Sequence, residues 1–115
     1  MDMVTMNIID SSMVSICREM GITLMKTSYS TIFNEGLDFT CAIADTDGEM
    51  VSVAEFCPAQ IGGMPLLIKT CAEEIPIDQI EEGDVIVHND PYRGGLHVPE
   101  HTLFKPVFAD GKLLA

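Results

Sequence analysis

The pattern of hydrophobic and polar positions predicts a long amphipathic helix at the start of the chain. Between about Met6 and about Thr27, apolar residues recur at spacings of three and four and form a single stripe, which is typical of a helix with one buried face. Gly21 lies inside this helix and indicates a bend or a close contact there. Residues 1–5 are expected to be loose. The stripe consists of Ile9, Met13, Ile16, Cys17, Met20 and Leu24.

Two hairpins are predicted further along the chain. Apolar and polar residues alternate over residues 37–44, the turn residues 45–48 follow, and residues 50–54 return as the partner strand. A second set of strands is predicted at residues 85–88 and 102–108, with Asp110-Gly111 as a hairpin turn. Pro106 cannot donate a ladder hydrogen bond, so it indicates a sheet edge or a bulge.

A second helix is predicted between the hairpins. It follows a loop at residues 56–63, has Pro65 in its first turn and ends at Pro76. The pair Gly62-Gly63 ahead of it offers a weak signal for a phosphate at the helix N-terminus. Its predicted buried face consists of Met64, Leu67, Ile68, Cys71 and Ile75.

The order α-β-β-α-β-β predicts an α+β fold. We expect an antiparallel sheet made from two hairpins, with the helices packed on one face. The length of 115 residues fits a single α+β domain spanning residues 1–115. The return strand of the last hairpin has barely begun at Ala115, so the domain is expected to be truncated there, as the N-terminal part of a longer subunit.

Charge and composition narrow the classes of partner. The formal net charge is −12, which argues against nucleic acid and anionic membranes as partners. No apolar run reaches the ~20 residues that span a bilayer, and no signal peptide is evident, so a cytoplasmic protein is expected. The four cysteines show no C-x-x-C spacing, which favours buried free thiols over a structural zinc site.

All three histidines lie in one segment, residues 88–101, which we name the histidine loop. Asp90, His97 and Glu100 combine two carboxylates with an imidazole, a set that suits a divalent ion such as Mn, Fe or Zn. His101 is an alternative ligand to Glu100. The competing interpretation is that Asp90 caps a turn through its own backbone while His97 is simply exposed. His88 is interpreted as a hydrogen-bonded core histidine.

The histidine loop also carries a family resemblance. Residues 89–100 read NDPYRGGLHVPE and are followed by Thr102 and by the run PVF at residues 106–108. Together with EGLDFT at 35–40, DG at 47–48, IGGMP at 61–65 and GDV at 83–85, they resemble the hydantoinase B family. That family also contains parts of 5-oxoprolinase and the corresponding subunits of acetone and acetophenone carboxylases.

The resemblance implies an enzyme subunit that works with an ATP-using partner of the hydantoinase A type. Such complexes open cyclic amides such as hydantoins or 5-oxoproline, or carboxylate ketones. The resemblance implies metal binding by Asp90 and His97. Glu100, where the family commonly has Asp, is implied as a third ligand or as the catalytic base.

Three further expectations stand beside this interpretation. A ketone carboxylase subunit of the same family is the alternative enzyme. A non-catalytic small-ligand sensor domain is the alternative from another functional class. A homodimer is expected from the methionine-rich first helix and from the unpaired strand edge of the last hairpin.

Overall fold

The computed structural model describes residues 2–115 and confirms an α+β fold of helices and antiparallel hairpins. Within these residues the strands pair as three two-stranded sheets, β1-β2, β3-β4 and β5-β6, where the pattern predicted one sheet. Short 3₁₀ turns cover Ile77–Gln79 and Pro91–Arg93. The helices are α1 (Met3–Thr27), α2 (Thr31–Asn34) and α3 (Pro58–Glu74), and the strands are β1 (Ala42–Ala44), β2 (Met50–Val53), β3 (Ile86–His88), β4 (Thr102–Phe104), β5 (Phe108–Ala109) and β6 (Lys112–Leu113).

The predicted strand at residues 102–108 is divided into β4 and β5, and Pro106 lies in the break. A proline has no N–H for a ladder, so pairing stops before it and resumes after it with a different strand. In the β3-β4 hairpin, His88 lies opposite Thr102. The two ends of the histidine loop are therefore fixed to each other by this strand pair. Asp110 and Gly111 have φ of 51° and 73°, which confirms the predicted tight turn between β5 and β6.

The described residues divide into two compact units, residues 2–43 with 51–62 and residues 44–50 with 63–115. In the first unit, α1 packs through Gly21 against the rings of Phe39 and Phe56, whose centroids are 4.6 Å apart. Cys17, Phe39 and Ala54 are the buried apolar residues of this unit. The close contact predicted at Gly21 is confirmed, and the single domain spanning residues 1–115 stays a prediction.

The predicted apolar stripe of α1 is mostly not the buried face. Ile9, Ile16, Met20 and Leu24 are each at least 39% exposed, whereas Cys17 and Gly21 are buried. The helix also starts earlier than predicted, at Met3, because the Asp2 carboxylate accepts the Thr5 N–H at 2.8 Å and caps the first turn. None of the helices in residues 2–115 is long and apolar enough to cross a membrane.

Gly21 and Gly62, which both lie inside helices, are expected to respond oppositely to replacement by alanine. A Cβ at Gly21 would lie 2.1 Å from a ring carbon of Phe56, whereas one at Gly62 would meet nothing within 4 Å. Gly21→Ala should therefore lower the free energy of unfolding by about 1–3 kcal/mol. Gly62→Ala should raise it by up to about 1 kcal/mol through helix propensity. Urea denaturation of both variants is the measurement, and a change of the same sign in both would contradict this packing.

We expect the free energy of unfolding to fall at alkaline pH, because the thiols of Cys17, Cys41 and Cys71 are wholly or partly buried. Burial raises the pKa of Cys41 to about 11 from the usual 9.0, and burial also raises the pKa of Cys17 and of Cys71. As pH rises, the unfolded thiols release their protons first, so stability is lost between about pH 9 and about pH 11. Cys41 is only half-buried, so solvent screening reduces the loss from this thiol to on the order of 1 kcal/mol.

Denaturant titrations at pH 8 and at pH 10.5 would measure this loss. The control is Cys41→Ala, which lacks that thiol and should show a smaller loss. An identical loss in the parent protein and in the variant would contradict the assignment to Cys41.

Helix α3 begins at Pro58, earlier than predicted. The Ile61 N–H donates to the Cys57 carbonyl at 3.1 Å, and Pro58 takes a first-turn position that needs no N–H donor. The predicted loop at residues 56–63 is therefore mostly helical. Gly62-Gly63 lies inside the helix and not ahead of it, so the predicted phosphate position at a helix N-terminus is wrong. Leu67, Ile68 and Cys71 of the predicted α3 face are buried as expected.

Candidate functional site

The backbone of the histidine loop is organised by Asp90. Its Oδ1 accepts the Tyr92 N–H at 2.9 Å and caps the 3₁₀ turn Pro91–Arg93. Its carbonyl oxygen accepts the N–H groups of Arg93 at 3.1 Å and Gly95 at 3.2 Å. The chain thus folds back at the glycine pair, as predicted. Asp90 has the turn-capping role of the competing interpretation, and its role as a metal ligand stays a prediction.

Two close contacts place the histidine loop directly on α3. Gly94 has φ of 98°, and a Cβ there would lie 2.9 Å from the Leu67 Cα. A Cβ on Gly63 would lie 2.7 Å from the Leu96 Cδ2. Each contact needs a glycine because a side chain would occupy the space that the neighbour fills.

One ion pair also joins the loop to α3. Arg93 pairs with Glu74 at the C-terminal end of the helix, and the two side chains are 55% and 42% exposed. Exposed pairs of this kind are worth only about 0–1 kcal/mol. The glycine contacts therefore determine where the loop lies.

His97 and Glu100 are the two predicted site residues that the structure places side by side. The Glu100 Oε2 accepts the N–H groups of Leu96 at 2.9 Å and His97 at 3.2 Å, and it lies 3.7 Å from the His97 Nδ1. The Glu100 N–H donates to the His97 carbonyl at 3.2 Å, which closes the turn. The side chains of Glu100 and His97 are 20% and 57% exposed. A fixed carboxylate is thus held beside an imidazole that faces solvent.

The predicted ligands do not all converge. Within residues 2–115, no group of three or more His, Cys, Asp or Glu side chains is placed to hold a metal ion. His101, the alternative ligand, has its Nδ1 3.1 Å from the Pro99 carbonyl. Of the predicted ligands, His97 and Glu100 lie side by side, with 3.7 Å between Nδ1 and Oε2. Metal binding by these residues stays a prediction.

The prediction for His88 is wrong. It is half-buried in β3, but neither ring nitrogen has a hydrogen-bond partner within the described part of the chain. The loop end of the β3-β4 hairpin therefore holds an imidazole whose two nitrogens are buried and unpaired within residues 2–115.

The sequence interpretation missed the residues that position the loop. Gly63, Leu67 and Glu74 all belong to α3, and each contacts a residue of the histidine loop. Two Gly-Gly pairs, one in α3 and one in the loop, were the available signal. Glycine in both segments is expected where two backbones approach closely.

Comparison with known families identifies the chain. The family model described as hydantoinase B/oxoprolinase matches residues 2–115. The chain belongs to the hydantoinase B/oxoprolinase family. The resemblance noted in residues 89–100 and in the upstream segments is thereby confirmed. The histidine loop on α3 is accordingly part of a hydantoinase B/oxoprolinase fold.

Curated relatives match nearly the whole chain. An uncharacterized protein of Methanocaldococcus jannaschii is 39% identical over 99% of this chain and 21% of its own length. The 5-oxoprolinase 1 of Arabidopsis thaliana is 38% identical over 98% of this chain and 9% of its own length. The caprolactamase subunit beta of Pseudomonas jessenii is 36% identical over 98% of this chain and 19% of its own length. The chain thus spans between 9% and 21% of the length of these relatives. No solved structure matches the chain significantly.

Proposed function

We propose that this chain is part of a hydantoinase B-type subunit that opens cyclic amides at the expense of ATP. The observation that carries the proposal is the family match over residues 2–115, which includes the whole histidine loop. Two relatives support the substrate class, because 5-oxoproline and caprolactam, which their names specify, are both cyclic amides. Neither of these two names refers to a ketone or to carboxylation.

A partner subunit follows from the same proposal. The name "subunit beta" of the caprolactamase relative describes one component of an assembly. An ATP-using subunit of the hydantoinase A type would activate the amide oxygen by phosphorylation. The carbonyl carbon would then be open to attack by water, which needs a base on the hydantoinase B side. The cytoplasm, where ATP is available, is the proposed compartment.

The residues proposed to act are those of the histidine loop. Glu100 is fixed by the N–H groups of Leu96 and His97, and both bonds use Oε2 alone. A carboxylate held in this way can accept a proton from water or bind a cation without reorganising. His97 is close enough to share either task, at 3.7 Å between Nδ1 and Oε2.

A divalent ion such as Mn, Fe or Zn is proposed at Asp90, His97 and Glu100, with further ligands from outside these residues. When bound, it would polarise a carbonyl or acidify a water molecule. In the conformation described, the carboxylate of Asp90 caps its own turn and belongs to no three-residue cluster.

An assay of the complete complex tests the function. The product of the complete gene would be purified with its ATP-using partner and supplied with ATP and with 5-oxoproline, caprolactam, a hydantoin or acetone, with and without bicarbonate. We expect ring opening of a cyclic amide, coupled to ATP hydrolysis and independent of bicarbonate. Turnover of acetone only with bicarbonate would instead establish a carboxylase. Binding of a cyclic amide without any turnover would favour the sensor domain.

A further inference from the structure

The first two turns of α1 are apolar on every side and largely uncovered. Residues 3–9 include five large apolar side chains, which are between 42% and 76% exposed. At about 100° of rotation per residue, no gap between neighbouring apolar side chains around the helix exceeds about 100°. We call this segment the apolar collar, and its members are Met3, Val4, Met6, Ile8 and Ile9.

The apolar collar needs contacts that residues 2–115 do not provide. In proteins, most of the stability of a helix comes from tertiary packing and not from intrinsic propensity. Val4, Ile8 and Ile9 are β-branched, which lowers the helix propensity further. Within residues 2–115, Asp2 fixes its start, because the Asp2 carboxylate accepts the Thr5 N–H and the Asp2 carbonyl accepts the Met6 N–H. A helix that is hydrophobic all round is typical of the core of a large protein.

We propose that the apolar collar is enclosed by polypeptide of the same subunit that lies outside residues 1–115. The length of the relatives supports this occupant, because the matched segment is 21% of the M. jannaschii protein and 19% of the caprolactamase subunit. A subunit of that size has enough chain to surround a helix. A second copy in a symmetric dimer would cover one side only and leave the opposite side in water.

Methionine oxidation is the direct test, because the collar contains two methionines. The product of the complete gene, without its partner subunit, would be treated with dilute hydrogen peroxide in its native state and after unfolding in urea. Mass spectrometry of the N-terminal peptide would report Met3 and Met6 separately. We expect both to be oxidised at least roughly tenfold more slowly in the native protein, at concentrations where light scattering shows a monomer.

Each other outcome overturns the proposal. Native rates within about twofold of the unfolded rates would mean that the collar is exposed to solvent. Protection that appears only as dimers form would assign the collar to a second copy, and protection that needs the partner subunit would assign it to that subunit. A gene that ends at Ala115 would remove the proposed occupant altogether.

Substitutions on opposite sides of the helix provide an independent measurement. Met6→Asp and Ile8→Asp change side chains about 160° apart. Each should lower the Tm of the complete gene product by at least about 5 °C. The matched control is Ser11→Asp, which adds the same charge in the polar run Asp10-Ser11-Ser12 and should shift Tm by less than about 1 °C.

A lower Tm in only one of the two Asp variants would indicate that a partner covers one side of the helix, and this result would contradict enclosure of the apolar collar. If the Asp variants fail to fold, Met6→Ala and Ile8→Ala replace them, with an expected loss of at least about 3 °C each. No loss from either Ala variant would likewise contradict enclosure.

Discussion

Replacing His97 by Ala is expected to abolish the ATP-dependent ring opening of the complete complex while leaving the fold intact. Loss of a metal ligand or a proton-transfer group lowers turnover by roughly a hundredfold to ten-thousandfold. The side chain of His97 is 57% exposed and contributes little to a core, so its removal should change stability by less than about 0.5 kcal/mol. Steady-state kinetics and denaturant titration on the same preparation measure both effects.

Glu100→Gln distinguishes two roles of the Glu100 carboxylate, a part in the reaction and the hydrogen bonds that hold the turn. The amide oxygen of Gln can still accept the N–H groups of Leu96 and His97, so the turn should survive, but the negative charge is lost. Activity should fall as far as in His97→Ala. Val98→Ala, at an exposed neighbouring position, is the control that should retain activity. Full activity in both His97→Ala and Glu100→Gln would remove the histidine loop from the reaction.

Replacing Gly94 by Ala is expected to destabilise the protein strongly and to move the histidine loop away from α3. Two costs add at this position: φ is 98°, which an L side chain rarely adopts, and the new Cβ would lie 2.9 Å from the Leu67 Cα. The neighbour is backbone of a helix and cannot rotate aside. We expect a loss of about 2–4 kcal/mol in the free energy of unfolding.

Gly83→Ala is the matched control for Gly94→Ala. Gly83 has φ of 105°, similar to that of Gly94, but a Cβ there would meet nothing within 4 Å. Its variant should therefore show the backbone cost alone, about 1 kcal/mol. Urea denaturation measures the free energy of unfolding of both variants. The difference between their losses gives the cost of disturbing the contact between the histidine loop and α3. Equal losses in the two variants would contradict the docking of Gly94 on α3.

Local patterns were enough to predict the hairpin turns and the presence of both long helices. The turn at Asp45 is confirmed, because its Oδ1 accepts the N–H groups of Asp47 at 3.0 Å and Glu49 at 2.9 Å, and Gly48 has φ of 78°. Turns of this kind depend on a few adjacent residues, which a sequence displays directly. The start of α3 was missed because Gly62-Gly63 was interpreted as a loop signal, although helix packing also uses glycine.

The remaining differences between the sequence prediction and the structure come from tertiary contacts. The stripe of α1 has the correct period, but period alone does not say which residues are covered. Cys17 of the stripe is buried as predicted, whereas Ile16 and Met20 are exposed. Gly21, which is not part of the stripe, is also buried. In the histidine loop, the sequence predicted the fold-back at the glycine pair. The spacing of the residues did not show which side chains would be in contact. In the structure, His97 lies beside Glu100, whereas the Asp90 carboxylate caps its own turn.

Elemental analysis of the complete gene product tests the central claim, that the histidine loop is the functional site, most directly. The parent protein and His97→Ala would be purified identically, and their Mn, Fe and Zn contents measured by mass spectrometry. We expect close to one divalent ion per subunit in the parent protein and little in His97→Ala. Full metal occupancy in His97→Ala would contradict a role for the histidine loop as the functional site.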